Sequence, residues 1–329
     1  MNKSYLYTET AFHHQGSYDY LTKLIDASFQ AGAKGVKFQV LTKCSDFIST
    51  RHKAFADLES YCFNKNEWEQ IFEYTASKGL DIVLMPLNVE AVELSTCKGV
   101  KYIDIHSVSF NDTDLLQAIR NSGVGVILGV GGRTLDEILA MCDFFADQLH
   151  ILMVGFQSFP SQLEEVKLSK ITFLKQLFPD MLIGYADHSS FDHTHAISSN
   201  DYARLLGASV FEKHIAIEEG VNRIDFASAI SPEKIAMIVS NLDFLDRHIV
   251  GNPAESIRMS QAEEVYRNRQ LRCVAATRLI NGTILSKENI RLKLVDNPDF
   301  TFTRYEEVIN RMLGKDLEQD ELITTNSLL

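Results

Sequence analysis

Eight short apolar runs, each followed by a longer amphipathic stretch, fill the first 248 residues, and this serial alternation constrains the fold more than any other feature. The runs are residues 5–8, 35–40, 81–85, 102–105, 124–128, 151–155, 182–185 and 209–211, each short enough for a buried strand. Between them apolar residues recur at helical spacing. Tyr20, Leu21, Leu24, Ile25, Ala27 and Phe29 mark the first such stretch, and Gly32 stops it. The other predicted helices are 67–78, 89–97, 113–121, 135–149, 169–178, 195–206 and 232–248, the last opened by Pro232 after the N-cap candidate Ser231. Strands that alternate with helices lie parallel, because consecutive parallel strands need a crossover. Eight such units form either an open doubly wound sheet or a closed barrel. The open sheet carries a glycine-rich turn after its first strand, and residues 11–16 hold a single glycine. The expectation is a (β/α)8 TIM barrel over residues 1–248, close to the roughly 250 residues typical of that fold.

Downstream the pattern changes. Residues 249–271 lack strong apolar periodicity and read as a linker, part of it helical. From Arg272 short β-like runs take over, with a hairpin-type turn at Asn281-Gly282 and Ser286 placed to cap a short helix over 287–289. Residues 272–329 are few for an independent core, so this small β-rich domain is expected to dock on another surface. Lysine and arginine total 32 against 44 aspartates and glutamates, a net charge of −12, which argues against a nucleic-acid or anionic-membrane partner. Nowhere do about 18 apolar residues run together, and the first residues lack the apolar core of a signal peptide. The five cysteines are scattered with no CxxC pair. That pattern disfavours a disulfide framework or a zinc–thiolate site, and a reducing cytoplasm is the expected location.

Barrels of this kind keep their chemistry at the carboxyl ends of the strands. There the sequence turns polar. The first run ends near Glu9, the second at Lys37-Phe38-Gln39, the fourth holds Asp104 and His106, the seventh leads into Asp187-His188-Ser189, and the eighth ends Glu212-Lys213-His214. Residues two apart on a strand share a face, and several of these groups are so spaced. Burying ionisable groups costs several kcal/mol unless they pair or bind a ligand. Five polar strand ends therefore point to a functional pocket rather than to separate rim salt bridges. His188 and His214 would end neighbouring strands, where they would either share a divalent ion or be hydrogen-bonded core histidines. An internal salt bridge to Asp104 is the simplest structural role for Lys37, and a surface loop charge the simplest for Asp225.

At these residues the sequence resembles the sialic acid (N-acetylneuraminate) synthase family, over essentially the whole chain. His13-His14-Gln15-Gly16-Ser17 is similar to the family's N-H-x-G segment, and Ala31-Gly32-Ala33 with Val36-Lys37-Phe38-Gln39 to its A-G-A-x-x-V-K-x-Q. Gly184-Tyr185-Ala186-Asp187-His188-Ser189 resembles G-L-S-D-H-[ST], Phe211-Glu212-Lys213-His214 resembles [IL]-E-[KR]-H, and Asp225 to Ser228 resembles D-x-x-x-S. The tail from Cys273 is similar to the antifreeze-like (SAF) domain that ends these synthases. The resemblance implies that phosphoenolpyruvate condenses with the open-chain aldehyde of an N-acetylated amino sugar, giving a nine-carbon 2-keto acid and phosphate for surface carbohydrate. It implies Mn²⁺ or Mg²⁺ on His188 and His214. Lys37 would contact the phosphoenolpyruvate anion, Glu212 would move a proton, and Asp225 would hold sugar hydroxyls. Gln39, Ser107, Gln157, Asp187 and Ser228 would be further substrate contacts. It also implies a homodimer in which each tail domain covers the partner's barrel mouth.

The sequence departs from the family at several points. The S-T-P-F turn reads Leu84-Met85-Pro86-Leu87, K-I-G-S reads Asp104-Ile105-His106-Ser107, and the glutamate that follows reads Ser109. S-T-G reads Gly129-Val130-Gly131, a strand-six asparagine reads Gln157, the serine before Asp187 is Ala186, and the tail's K-R-P reads Lys293-Leu294-Val295. Asp104 in place of a lysine moves the local charge by two units away from what a phosphate ester needs. Two alternatives follow: a sugar-binding or scaffolding relative that has lost the phosphate site, and a metal-dependent aldolase or lyase that needs no phosphoenolpyruvate.

Overall fold

The computed structural model describes residues 3–158, 160–251, 257–296 and 301–329. The chain divides into two compact units, residues 1–251 and 252–329. In the first, eight strands run β1 (Tyr5–Glu9), β2 (Gly35–Val40), β3 (Asp81–Pro86), β4 (Val100–Ile105), β5 (Gly125–Gly129), β6 (Leu149–Val154), β7 (Leu182–Asp187) and β8 (Val210–His214). Each pairs in parallel with the next, and β8 pairs with β1, so the sheet closes into the expected barrel.

Strand alternation divides the apolar residues into two cores. Leu6, Val36, Phe38, Ile82, Leu84, Val126, Leu152 and Phe211 face outward onto the helices. Tyr7, Val83, Ile127, Ile151, Met153 and Val210 fill the barrel's interior, with Tyr5, Tyr102 and Leu182 packed against them. Above that apolar floor the interior becomes ionic.

The helices begin where local capping dictates. Ser17 accepts from Tyr20 N ahead of Tyr18–Gln30, and Asn64 with Glu67 forms a capping box for Lys65–Ser77. Ser231 caps Pro232–His248, which matches its predicted bounds. The predicted helix 135–149 ends at Phe145, followed by one 3₁₀ turn, because Leu149 opens β6. The stretch 89–97 splits into a helical turn, Val89–Val92, and a 3₁₀ turn, Glu93–Thr96. Short helices Phe55–Tyr61 and Leu163–Val166 had no periodic signal long enough to read. At the end of β6, Gly155 has φ of +128°, and a Cβ there would sit 2.2 Å from the Ala186 carbonyl oxygen. Only glycine lets β6 and β7 approach so closely beneath the cavity mouth.

The second unit contains the helix Gln261–Arg267 and an antiparallel pair, β9 (Arg272–Ala275) and β10 (Ile290–Lys293). Cys273, Ala275, Leu285, Ile290, Val308, Leu313, Leu317 and Ile323 form its core. Asn281-Gly282 is a turn, with Gly282 at φ +85°. Residues 287–289 form a turn instead of the expected helix, with Asn289 Oδ1 accepting from Ser286 N. Among the described residues no helix is long and apolar enough to cross a membrane.

Candidate functional site

Tyr7 points into the barrel, so Glu9, two residues on, does so as well. Register brings its neighbours to the same level: Glu9 lies opposite both Lys37 and His214, and Ala186 lies opposite Glu212. At the carboxyl end of the strands Glu9, Lys37, Gln39, Asp104, Glu212 and His188 line a cavity. Met85, His106, Ser107, Met153, Ala186 and Gln157 also contribute to its wall.

Lys37 is the centre of the charge network. Its Nζ lies 2.9 Å from Glu9 Oε2, 2.9 Å from Asp104 Oδ2 and 2.7 Å from Glu212 Oε2. Tyr7 Oη donates to the same Glu212 oxygen at 2.7 Å, and Gln39 Nε2 donates to Glu9 Oε1 at 2.8 Å. All four charged side chains are buried. Burial alone would depress the Lys37 ammonium, but the Asp104, Glu212 and Glu9 carboxylates overcome it and hold it well above its usual range. Burial pushes Glu212 up to about 8, with Glu9 and Asp104 adding to the rise against the pull of Lys37. Glu9 goes the other way: Lys37 and His214 hold it well below the ordinary carboxylate range in spite of burial. With all three carboxylates ionised against one ammonium, the cluster is two positive charges short, a deficit the raised Glu212 lessens by holding a proton.

The two histidines complete one side. Their rings lie 5.1 Å apart, edge to face. His214 Nε2 is 3.2 Å from Glu9 Oε2, and His188 Nε2 is 3.9 Å from Glu212 Oε1. Burial, with His214 beside it, pushes His188 down to about 3, so its imidazole is neutral and keeps a lone pair. His214 moves up, because the Glu9 carboxylate outweighs burial. His188 Nδ1 is buried without a hydrogen-bond partner, and His214 Nε2 has the Glu9 carboxylate beside it.

Glu9, His188, Glu212 and His214 each offer a ligand atom within 4.8 Å of the others. A six-coordinate divalent ion with bonds of about 2.1 Å separates its ligands by roughly 3 to 4.2 Å, so the four donors need only small shifts to close on one. Two neutral-capable imidazoles with two carboxylates suit Mn²⁺, Mg²⁺ or a similar ion, and its two positive charges match the local deficit. The site therefore fits a divalent metal.

The other residues singled out from sequence are distributed unevenly. Gln39, Ser107 and Gln157 line the cavity. Asp225 lies further out, with Gln157 and the apolar side chains Phe12, Phe47, Leu58, Leu87 and Val108. It adopts a left-handed backbone (φ +61°), and burial pushes its carboxyl up. Asp187 does not reach the cavity. Alternation from Ala186 turns it to the outer face, where Lys213, Ser189, Ser199 and Asn200 hold it. Ser228 is also buried, its Oγ donating to the His188 carbonyl at 2.9 Å. Lys37 does bridge to Asp104, but as one of three carboxylates. The sequence marks Glu9 only as a polar strand end and gives Tyr7 no role. The signal available for Glu9 was its place at a strand end two residues after Tyr7.

Comparison with known proteins agrees with this geometry. The NeuB family model matches residues 24–250. The chain is 25% identical to the N,N'-diacetyllegionaminic acid synthase of Campylobacter jejuni, across 98% of this chain and 99% of that one. It is 26% identical to a pseudaminic acid synthase of the same species, across 96% and 94%. Among solved structures, the N-acetylneuraminic acid synthetase of Leptospira borgpetersenii superposes with a TM-score of 0.69 at 24% identity, over 81% of this chain and 92% of that one, which shows a shared fold. The relatives are sialic-acid-type synthases, and with its barrel matched almost throughout, the chain belongs to the NeuB family.

Proposed function

We propose that the protein condenses phosphoenolpyruvate with the open-chain aldehyde of an N-acetylated amino sugar, assisted by a divalent metal, to give a sialic-acid-like nine-carbon 2-keto acid. The observation that carries this reading is the cation-deficient cluster at the barrel mouth, where two histidines and two carboxylates converge beside Lys37. Carbon 3 of phosphoenolpyruvate forms the new bond to the aldehyde carbon, the aldehyde oxygen takes up a proton, and water replaces the phosphate at carbon 2. When bound, the metal supplies Lewis-acid polarisation of the aldehyde oxygen. Lys37 offers the buried ammonium for the phosphoenolpyruvate anion, with Gln39 beside it. Glu212, between Lys37, Tyr7 and His188, is placed to pass the proton. Ser107, Gln157 and Asp225 line the path by which a polyhydroxy acceptor would enter. Asp187 and Ser228, turned away from the cavity, act on the protein's own backbone and not on substrate.

The second unit we read as an antifreeze-like (SAF) domain, and the active species as a cytoplasmic homodimer in which that domain covers the partner's barrel. Light scattering that shows a single chain at micromolar concentration would end the dimer reading.

A second reading is favoured by Asp104, 2.9 Å from the one lysine a phosphate ester would need. At an effective dielectric of ~20, a like charge 4 Å away opposes the ligand by about 4 kcal/mol. In this reading the protein is a sugar-binding relative or a metal-dependent lyase without phosphoenolpyruvate. Calorimetric titration of phosphoenolpyruvate into Mn²⁺-loaded protein separates the two, with His188→Ala as control. Metal-dependent binding, followed by phosphate release with an amino-sugar aldehyde, is the expected result. No binding at millimolar ligand, restored in Asp104→Asn, would establish the second reading.

A further inference from the structure

One step behind the metal-binding face lies a second ion pair. Asp187 and Lys213 are opposite each other in the β7–β8 register, and each immediately precedes one of the two histidines. Both are completely buried on the outer side of the sheet. Lys213 Nζ lies 3.3 Å from Asp187 Oδ1 and donates to the Ser189 carbonyl at 3.0 Å and to Ser189 Oγ at 3.2 Å. Asp187 Oδ1 accepts from Ser189 N at 2.8 Å, and its Oδ2 accepts from Ser199 Oγ and Asn200 Nδ2, each at 3.0 Å. The His188 carbonyl is fixed too, accepting from Ser161 N at 3.0 Å and Ser228 Oγ at 2.9 Å. The backbone on both sides of His188 is thus tied to the strand that carries His214.

Stability alone does not account for such a pair. Removing two charges from water offsets most of their attraction, and buried pairs replaced by apolar residues of similar volume often leave a protein as stable as before. What this pair does determine is geometry. An ammonium bonded to both oxygens of Ser189 fixes the angle at which the chain leaves β7, and that angle sets where His188 faces His214.

We infer that Asp187 and Lys213 are positioning residues that hold His188 and His214 in facing orientation for one divalent ion. This rests on the metal reading above. Groups that orient metal ligands in this way are typically worth about 10- to 100-fold in metal affinity.

The test is Mn²⁺ titration by calorimetry on the full chain, with urea unfolding measured in parallel, for the wild type, Lys213→Met and Lys213→Arg. The wild type binds Mn²⁺. Lys213→Met, still folded by circular dichroism, binds it at least about tenfold more weakly. Lys213→Arg keeps the cation and its donors and recovers most of the loss. Asp187→Asn, which preserves shape and removes the charge, serves as a second variant and weakens binding in the same direction. A folded Lys213→Met with wild-type affinity overturns the inference and leaves the metal reading standing. Unfolding of both Lys213→Met and Asp187→Asn also overturns it, since the pair would then be a stability element. A wild type that binds no Mn²⁺ overturns the metal reading itself, and this inference with it.

Discussion

The barrel buries two ionic clusters a single side chain apart along β8, and they differ in their balance. On the outer face Lys213 meets Asp187, the charges cancel, and the remaining lone pairs and protons go to Ser189, Ser199 and Asn200. On the inner face Lys37 meets three carboxylates, and His188 Nδ1 beside them lacks a hydrogen-bond partner. A cluster whose charges cancel and whose ammonium and carboxylate are both hydrogen-bonded has little charge left to offer a ligand. An unbalanced one is stable in water-filled form only by shifting protons, as the raised Glu212 shows, or by taking up a cation. The difference separates a group that shapes the protein from one that binds something.

The largest expected effect comes from breaking the unbalanced cluster. Lys37→Met leaves three buried carboxylates without a cation and should cost about 3–5 kcal/mol at neutral pH by urea denaturation. Saturating Mn²⁺ should stabilise the wild type by about 2.7 kcal/mol at one hundred times its dissociation constant, reversibly with a chelator. That gain should vanish in His188→Ala/His214→Ala, and its persistence there would place the ion elsewhere. Neutralising both charges of the balanced pair, Asp187→Asn with Lys213→Met, should cost only about 1–3 kcal/mol, chiefly from the Ser189 oxygens left without a donor. A cost above that of Lys37→Met would reverse the comparison.

The effect that is smallest at neutral pH concerns a buried titratable group with no counter-charge. His14 stacks on Phe63 at 5.0 Å between ring centroids and meets Trp68 edge-on, and burial pushes it down to about 3. Its folded pKa lies below the unfolded value, so the unfolded chain binds the proton. Its contribution is complete above pH 6.5 and declines as pH falls from there towards 3, by up to about 1.4 kcal/mol per pH unit. In His14→Phe the pH dependence across that window should be shallower by this amount. An unchanged slope would mean that the ring is protonated in the fold.

How much of this was legible depended on distance along the chain. The helix Pro232–His248 was read to the residue because its start is encoded by Ser231-Pro232. The apolar runs of β7 and β8 stop at 185 and 211, although the strands run on to Asp187 and His214. Polar residues there resemble loop, and only barrel closure makes them buried strand. The strand ends announced a pocket, but Glu9 gained its place from Lys37 and His214 across two separate strand pairings. Asp187 shows the opposite limit. Its position in a motif beside His188 suggested a substrate contact, whereas alternation from Ala186 turned it outward.

The sequence by itself determined the succession of strands and helices, the caps and the inventory of charges, because periodicity and capping act over a few residues. Only the tertiary structure decided which charges cancel. Coulomb energy in a buried site depends on separations of a few ångströms, and those separations were set by the closing of β8 onto β1, which brought Glu9 level with Lys37 and His214 and set Glu212 opposite Tyr7, one step below.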